Sequence, residues 1–209
     1  MNWKKIEKDP SKQPANGIYS DWKPLLAAEG FNQCIYCAIH ENSMGGIRNF
    51  HVEHYRPKSK FTDLENDYCN LFYSCPICNT FKSNDWPNEP VDDNSVASYP
   101  NPSSIDYNTL FDVDIERGVI EGRNTAAKYI QEKIFLNRPQ LITERRVYFL
   151  FRKGTDEINE TKKLLKEITN NEDYRILSES FMDLSTGFIG LLEKFREIPH
   201  YRLGDIKRP

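Results

Sequence analysis

No stretch of this 209-residue sequence holds the ~18 to 20 consecutive apolar residues that a bilayer-crossing helix requires. The first ten residues, Met1 to Pro10, have no apolar segment either, so neither a secretory leader nor an anchor is expected and the chain reads as cytoplasmic. An excess of one charge sign is missing too. The 28 basic and 31 acidic side chains leave −3, which excludes a protein that coats nucleic acid by bulk charge. Any nucleic-acid contact must then be local. Repeats and low-complexity tracts are absent, while aromatics at 12% argue against wholesale disorder. The length suits one or two domains with a sizeable core.

Cysteine is sparse, yet its spacing is not random. Four of the five cysteines form two C-x2-C pairs, Cys34/Cys37 and Cys75/Cys78. Such a pair lets two thiolates from one tight turn reach the same ion at ~2.3 Å, and a second pair closes a tetrahedral Zn²⁺ site. A disulfide framework is the rival reading. It suits an oxidising compartment and an even cysteine count, and neither is indicated here. Cys69 is left over and reads as a small buried hydrophobe. Histidine is sparser still, but three of the four (His40, His51 and His54) fall between the two pairs. His40 reads as incidental.

Between the pairs the local order is strand, loop, strand, helix. Residues 50–55 are β-prone and are stopped by Pro57; residues 71–74 form a short apolar strand; Pro76 suits the first turn of a helix over 76–84. On that helix Asn79 and Ser83 share a face, with Lys82 beside them.

The order C-x2-C, acidic residue then His, Asn, and C-x2-C-Asn-x2-Lys resembles the zinc-knuckle branch of the HNH nucleases, built on the ββα-metal (His-Me finger) unit. The resemblance spans residues 34–84. It implies His54 as general base, Asn70 as the residue that orients it and fixes the loop, and Glu53 and Asn79 as ligands of a catalytic ion. Glu53 stands where Asp or His is commoner, and Asn79 where the last letter is His. The resulting oxygen donors favour Mg²⁺ or Mn²⁺. His51, two residues from Glu53, shares its strand face and is a candidate third ligand. The chemistry is coherent: phosphodiester hydrolysis needs a water nucleophile, a base near neutrality and a cation on the phosphate oxygens. Arg56, Lys58, Lys60 and Lys82 are expected at flanking phosphates. Since Glu53 and His54 are adjacent, the strand must end or twist for both to serve one site.

The remainder reads as a division into residues 1–112, the nuclease unit with its N-terminal extension and trailing loop, and residues 113–209, mainly helical. A short helix is expected over Lys23–Glu29, a small hairpin over 111–120, and a helix over 125–137. Another should start at Pro139 and stop at Gly154, with Thr155 capping the next. The last helix carries Tyr174, Leu177, Phe181, Leu184, Phe188, Leu191 and Phe195 at 3–4 spacing, either a bundle core or a stripe for a partner, with Gly187 and Gly190 marking close backbone contact. Eight basic against three acidic residues over 121–153 suggest a second nucleic-acid face.

The expected fold is therefore α+β: a ββα-metal core stapled by four cysteines, then a helical region. Strings such as His-Val-Glu-His-Tyr-Arg-Pro-Lys-Ser and Leu-Asn-Arg-Pro are also similar to small HNH proteins of Septu-type and retron-linked antiphage defence. That likeness implies a nuclease effector directed by an ABC/SMC-like ATPase, with DNA favoured over RNA. The rival function is a non-catalytic zinc module that binds nucleic acid or a protein.

Overall fold

A computed structural model describes residues 3–196, with side chains as far as residue 191. Strand β1 (His51–His54) pairs antiparallel with β2 (Leu71–Ser74), with Glu53 opposite Phe72 and His54 opposite Leu71. All four residues of β2 are buried, which suits its apolar and aromatic composition. Helix α2 (Pro76–Lys82) follows at once. Pro76 occupies its first turn, and the Cys75 sulfur accepts the Cys78 amide at 3.4 Å, so one cysteine serves both knuckle and helix cap. Helix α1 (Lys23–Glu29) packs across this unit through Leu26 and Ala27.

A second antiparallel hairpin, β3 (Phe111–Asp114) and β4 (Val119–Gly122), leads into α3 (Thr125–Lys133), which Asn124 caps by accepting the Ala127 amide at 2.9 Å. Helix α3 stops short of the expected 137 because Phe135 takes a left-handed φ of 54°. One hydrophobic cluster runs from Trp3 through Phe50, Phe72 and Tyr99 to Phe111, Ile120, Ile130 and Leu141. A boundary between residues 112 and 113 thus falls inside β3 and cuts through this shared core.

Helix α4 (Pro139–Glu167) roots in that core at Leu141 and then leaves it, and α5 (Asn171–Arg196) folds back along it. The expected break at Gly154 does not occur. A Cβ at Gly154 would overlap the Phe188 ring, so the glycine serves helix–helix contact, and the Thr155 hydroxyl bonds back to Phe151 O at 2.8 Å instead of capping a new helix. Gly187 and Gly190 have open space where a side chain would sit, so the close contact lies on the facing helix. Leu177, Phe181, Leu184 and Phe188 are only partly covered, and Tyr174 and Leu191 are exposed. The Phe195 side chain and all of His200 lie outside the described residues. No described helix is long and apolar enough to cross a membrane.

Candidate metal centre and nuclease cleft

The first knuckle turns at Cys34, whose carbonyl accepts the Ala38 amide at 2.8 Å with Ala38 at φ 56°. The second begins α2. Together they bring the sulfurs of Cys34, Cys37, Cys75 and Cys78 within 4.8 Å of one another, all buried. Ligands at ~2.3 Å around a tetrahedral ion stand roughly 3.8 Å apart, and Cys37 and Cys75 are separated by 3.8 Å. Donor chemistry and spacing both fit a structural Zn²⁺. The Arg138 guanidinium completes the surroundings, with Nη2 at 3.6, 3.9 and 3.5 Å from the sulfurs of Cys37, Cys75 and Cys78. Burial opposes a thiolate at Cys37, yet bonds from the other three thiols and the charge of Arg138 draw its pKa well below the ordinary thiol range.

A cleft of about 410 Å³ is lined by Tyr19, Glu53, His54, Lys58, Asn79 and Ser83, among others. Strand β1 ends at His54, so the expected conflict between adjacent side chains is resolved: buried Glu53 and half-buried His54 both border the cleft. His54 Nε2 lies 3.0 Å from the Glu65 carbonyl. A carbonyl only accepts, so Nε2 carries the proton and the neutral ring keeps its lone pair on Nδ1. Burial, more than the nearby Lys58 charge, lowers the His54 pKa, despite the Glu65 carbonyl. The ring also meets Tyr19 edge-on at 4.7 Å.

The loop that supplies the Glu65 carbonyl is clamped by Asn70. Its Nδ2 donates to Arg56 O at 3.0 Å and Leu64 O at 3.1 Å, and its Oδ1 accepts the Arg56 amide at 2.8 Å. Asn70 thereby spans both ends of the β1–β2 connection. Glu53 is held by three donors: Lys82 Nζ at 2.7 Å and the Tyr36 hydroxyl at 3.0 Å on Oε1, and Asn79 Nδ2 at 2.7 Å on Oε2. Burial raises its pKa against the pull of Lys82. His51 Nδ1 lies 3.4 Å from Asn79 Oδ1, so His51, Glu53 and Asn79 stand side by side.

Residues 34–85 match the HNH endonuclease family. No curated protein matches the chain. The HNH segment covers both knuckles, β1, β2 and α2, and includes every site residue expected from sequence. That match implies nuclease activity with a metal for this segment.

Two expectations about cations need correction. Lys82 does not face phosphates: it is fully buried, paired with Glu53 and donating to His54 O at 3.0 Å. Taking the ammonium out of water is costly, and the Glu53 carboxylate at 2.7 Å offsets that cost. The basic face over 121–153 also shrinks, because Arg138 and Arg145 are buried. Arg56, Lys58 and Lys60 remain at the surface, the first two paired with Glu89 and Glu65. Cys69 is partly exposed rather than buried.

Sequence reasoning missed Tyr19, Tyr36 and Arg138. Tyr36, inside the first C-x2-C, and Arg138, inside the Leu-Asn-Arg-Pro string, lie in motifs that could have flagged them. Tyr19 arrives from the N-terminal segment, which Asn66 holds by accepting the Tyr19 amide at 2.8 Å.

Proposed function

We propose that this chain is a metal-dependent endonuclease that hydrolyses phosphodiester bonds in the cleft beside β1. The observation that carries this reading is the tautomer of His54, set by the Glu65 carbonyl, next to the Glu53–Asn79 pair. In that state Nδ1 accepts a proton from the attacking water at neutral pH. Asn70 keeps the base in place by fixing the loop that orients it. Arg56, Lys58 and Lys60 contact the phosphates that flank the scissile one.

Glu53, Asn79 and the exposed His51 would hold a single Mg²⁺ or Mn²⁺. Two oxygens and an imidazole fit such an ion as a partial set that leaves room for water and phosphate. Bound there, the cation supplies charge stabilisation to the phosphate and leaving oxygens. DNA is the preferred substrate. The motif strings support a wider role as a cytoplasmic antiphage effector controlled by an ABC/SMC-like ATPase, with the partly covered stripe of α5 as the docking element.

The test is incubation of the purified chain with plasmid, single-stranded DNA and bulk RNA in Mg²⁺, Mn²⁺ or EDTA. Cleavage should require the metal and fall at least ~100-fold in His54→Ala, with zinc content unchanged. Undiminished cutting by His54→Ala would remove the base assignment and make His51 the next candidate. Metal-independent binding without cleavage would favour the zinc-module reading.

A further inference from the structure

Four thiolates on Zn²⁺ carry a net charge of −2, and this cluster is wholly buried. A buried charge is tolerated only when it is paired. Arg138 sits 60 residues beyond Cys78, outside the HNH segment, yet its fully buried guanidinium reaches three of the four sulfurs. The same fork uses Nη1 to approach the carbonyls of Ile134 and Phe135 at 3.3 and 3.4 Å, at the end of α3. Its Nε finds no partner, as is also true of Arg145, so what sets Arg138 apart is its contacts to sulfur.

Arg145 is the internal contrast. It is equally buried, but its contacts are all to neutral oxygens: Gly118 O at 2.8 Å, Asn137 Oδ1 at 3.3 Å and Leu136 O. Burial works against both charges, and only Arg138 has cysteine sulfurs within reach of its fork. One buried arginine is anchored by neutral backbone, and the other by the cluster.

We propose that Arg138 is a positioning residue of the zinc site, holding the thiolates of Cys37, Cys75 and Cys78 by N–H···S bonds and fastening the start of α4 to the metal cluster. Residues that hydrogen-bond metal ligands commonly set metal affinity by 10–100-fold. The inference rests on reading the four cysteines as a zinc site.

The test uses the full chain as wild type, Arg138→Met, Arg138→Lys and Arg145→Met. Zinc per chain is measured by elemental analysis, and zinc transfer to a chromophoric chelator is followed under native conditions. R138M should lower zinc affinity at least ~10-fold, with R145M staying within roughly threefold of wild type. In Co²⁺-substituted protein, R138M should shift the sulfur-to-metal charge-transfer band to longer wavelength, because an unbonded thiolate gives up its electron more easily; R145M should not. Amide exchange over residues 138–142 should also quicken in R138M. If R138M fails to fold, R138K decides: the lysine ammonium ends one bond short of the Nη2 position and has no second arm for the Ile134 and Phe135 carbonyls, so its zinc transfer must still outpace wild type. Wild-type transfer and an unmoved band in R138M, or wild-type transfer in R138K, overturn the proposal. A wild-type chain without zinc would instead overturn the cluster reading itself.

Discussion

The body that ends near Leu141 and the helical hairpin beyond it follow opposite building rules. In the body, charged and polar groups are sealed inside with specific partners: Glu53 with Lys82, Asn70 with three backbone groups, Arg138 with sulfur. In α5 no residue from 171 to 191 is buried, and its ion pairs, such as Arg175 with Glu172 and Glu179, lie on the surface. The body specifies one geometry, as a site that does chemistry must. The hairpin has an apolar seam but little beyond it, so its position depends on few contacts.

That contrast can be broken most completely at the knuckles. Cys75→Ser removes a zinc ligand and the sulfur cap of α2 together, and zinc binding in such sites is folding energy of about 10–16 kcal/mol. We expect loss of bound zinc by elemental analysis and loss of the cooperative melt in circular dichroism. Normal folding would mean that the body does not depend on its metal.

Next in size is Glu53→Ala. Besides removing an expected ion ligand, it strands the buried Lys82 ammonium. Breaking such a pair from one side costs about 3–5 kcal/mol. Denaturant melts should show this loss and its relief in Glu53→Ala/Lys82→Met, while both variants stay inactive. Equal stability of the single and double variants would deny the pairing. Gly154→Ala should be milder and confined to the hairpin. Its methyl group would meet the Phe188 ring, an overpacking cost of about 1–3 kcal/mol. Faster amide exchange in α4 and α5 with unchanged exchange in β1 and β2, and recovery in Gly154→Ala/Phe188→Ala, would confirm it.

The subtlest effect is in pH. His54 has a folded pKa lowered by burial, so between that value and the unfolded value near 6.5 the unfolded chain binds more protons. The neutral ring's place in the fold therefore costs nothing above that window, and stability declines as pH falls through it. Cleavage should share the sign, with an acid limb whose midpoint lies below 6.5. A midpoint above 6.5 would contradict the burial of the ring.

What could be read directly from the residues was local. The helix over Lys23–Glu29, the two short strands and the proline start of α2 follow from signals within a few positions of each other. The two cysteine pairs were legible from their spacing, while Glu53, His54 and Asn79, singled out by the resemblance to HNH nucleases, border one cleft, and Asn70 clamps the loop beside it. Long-range partners were not. A lysine four residues past a knuckle looks solvent-exposed until the depth of Glu53 is known. Arg138 and Arg145 resemble their exposed neighbours, and only the three-dimensional path of α3 and α4 brings them inside. Gly154 reads as a stop because the ring that explains it lies 34 positions later.

The meeting of Gly154 and Phe188 has a mechanical consequence. The notch at Gly154 admits an aromatic ring at one level of the hairpin, and sliding α5 by one helical turn, about 5.4 Å, would drive that ring against a side chain instead of a glycine. The two helices are thus pinned against axial slip. A load applied at the tip, near residues 167–171, would travel to the base as the tilt of a stiff lever, and the fulcrum would be the stretch around Arg138 that abuts the knuckles.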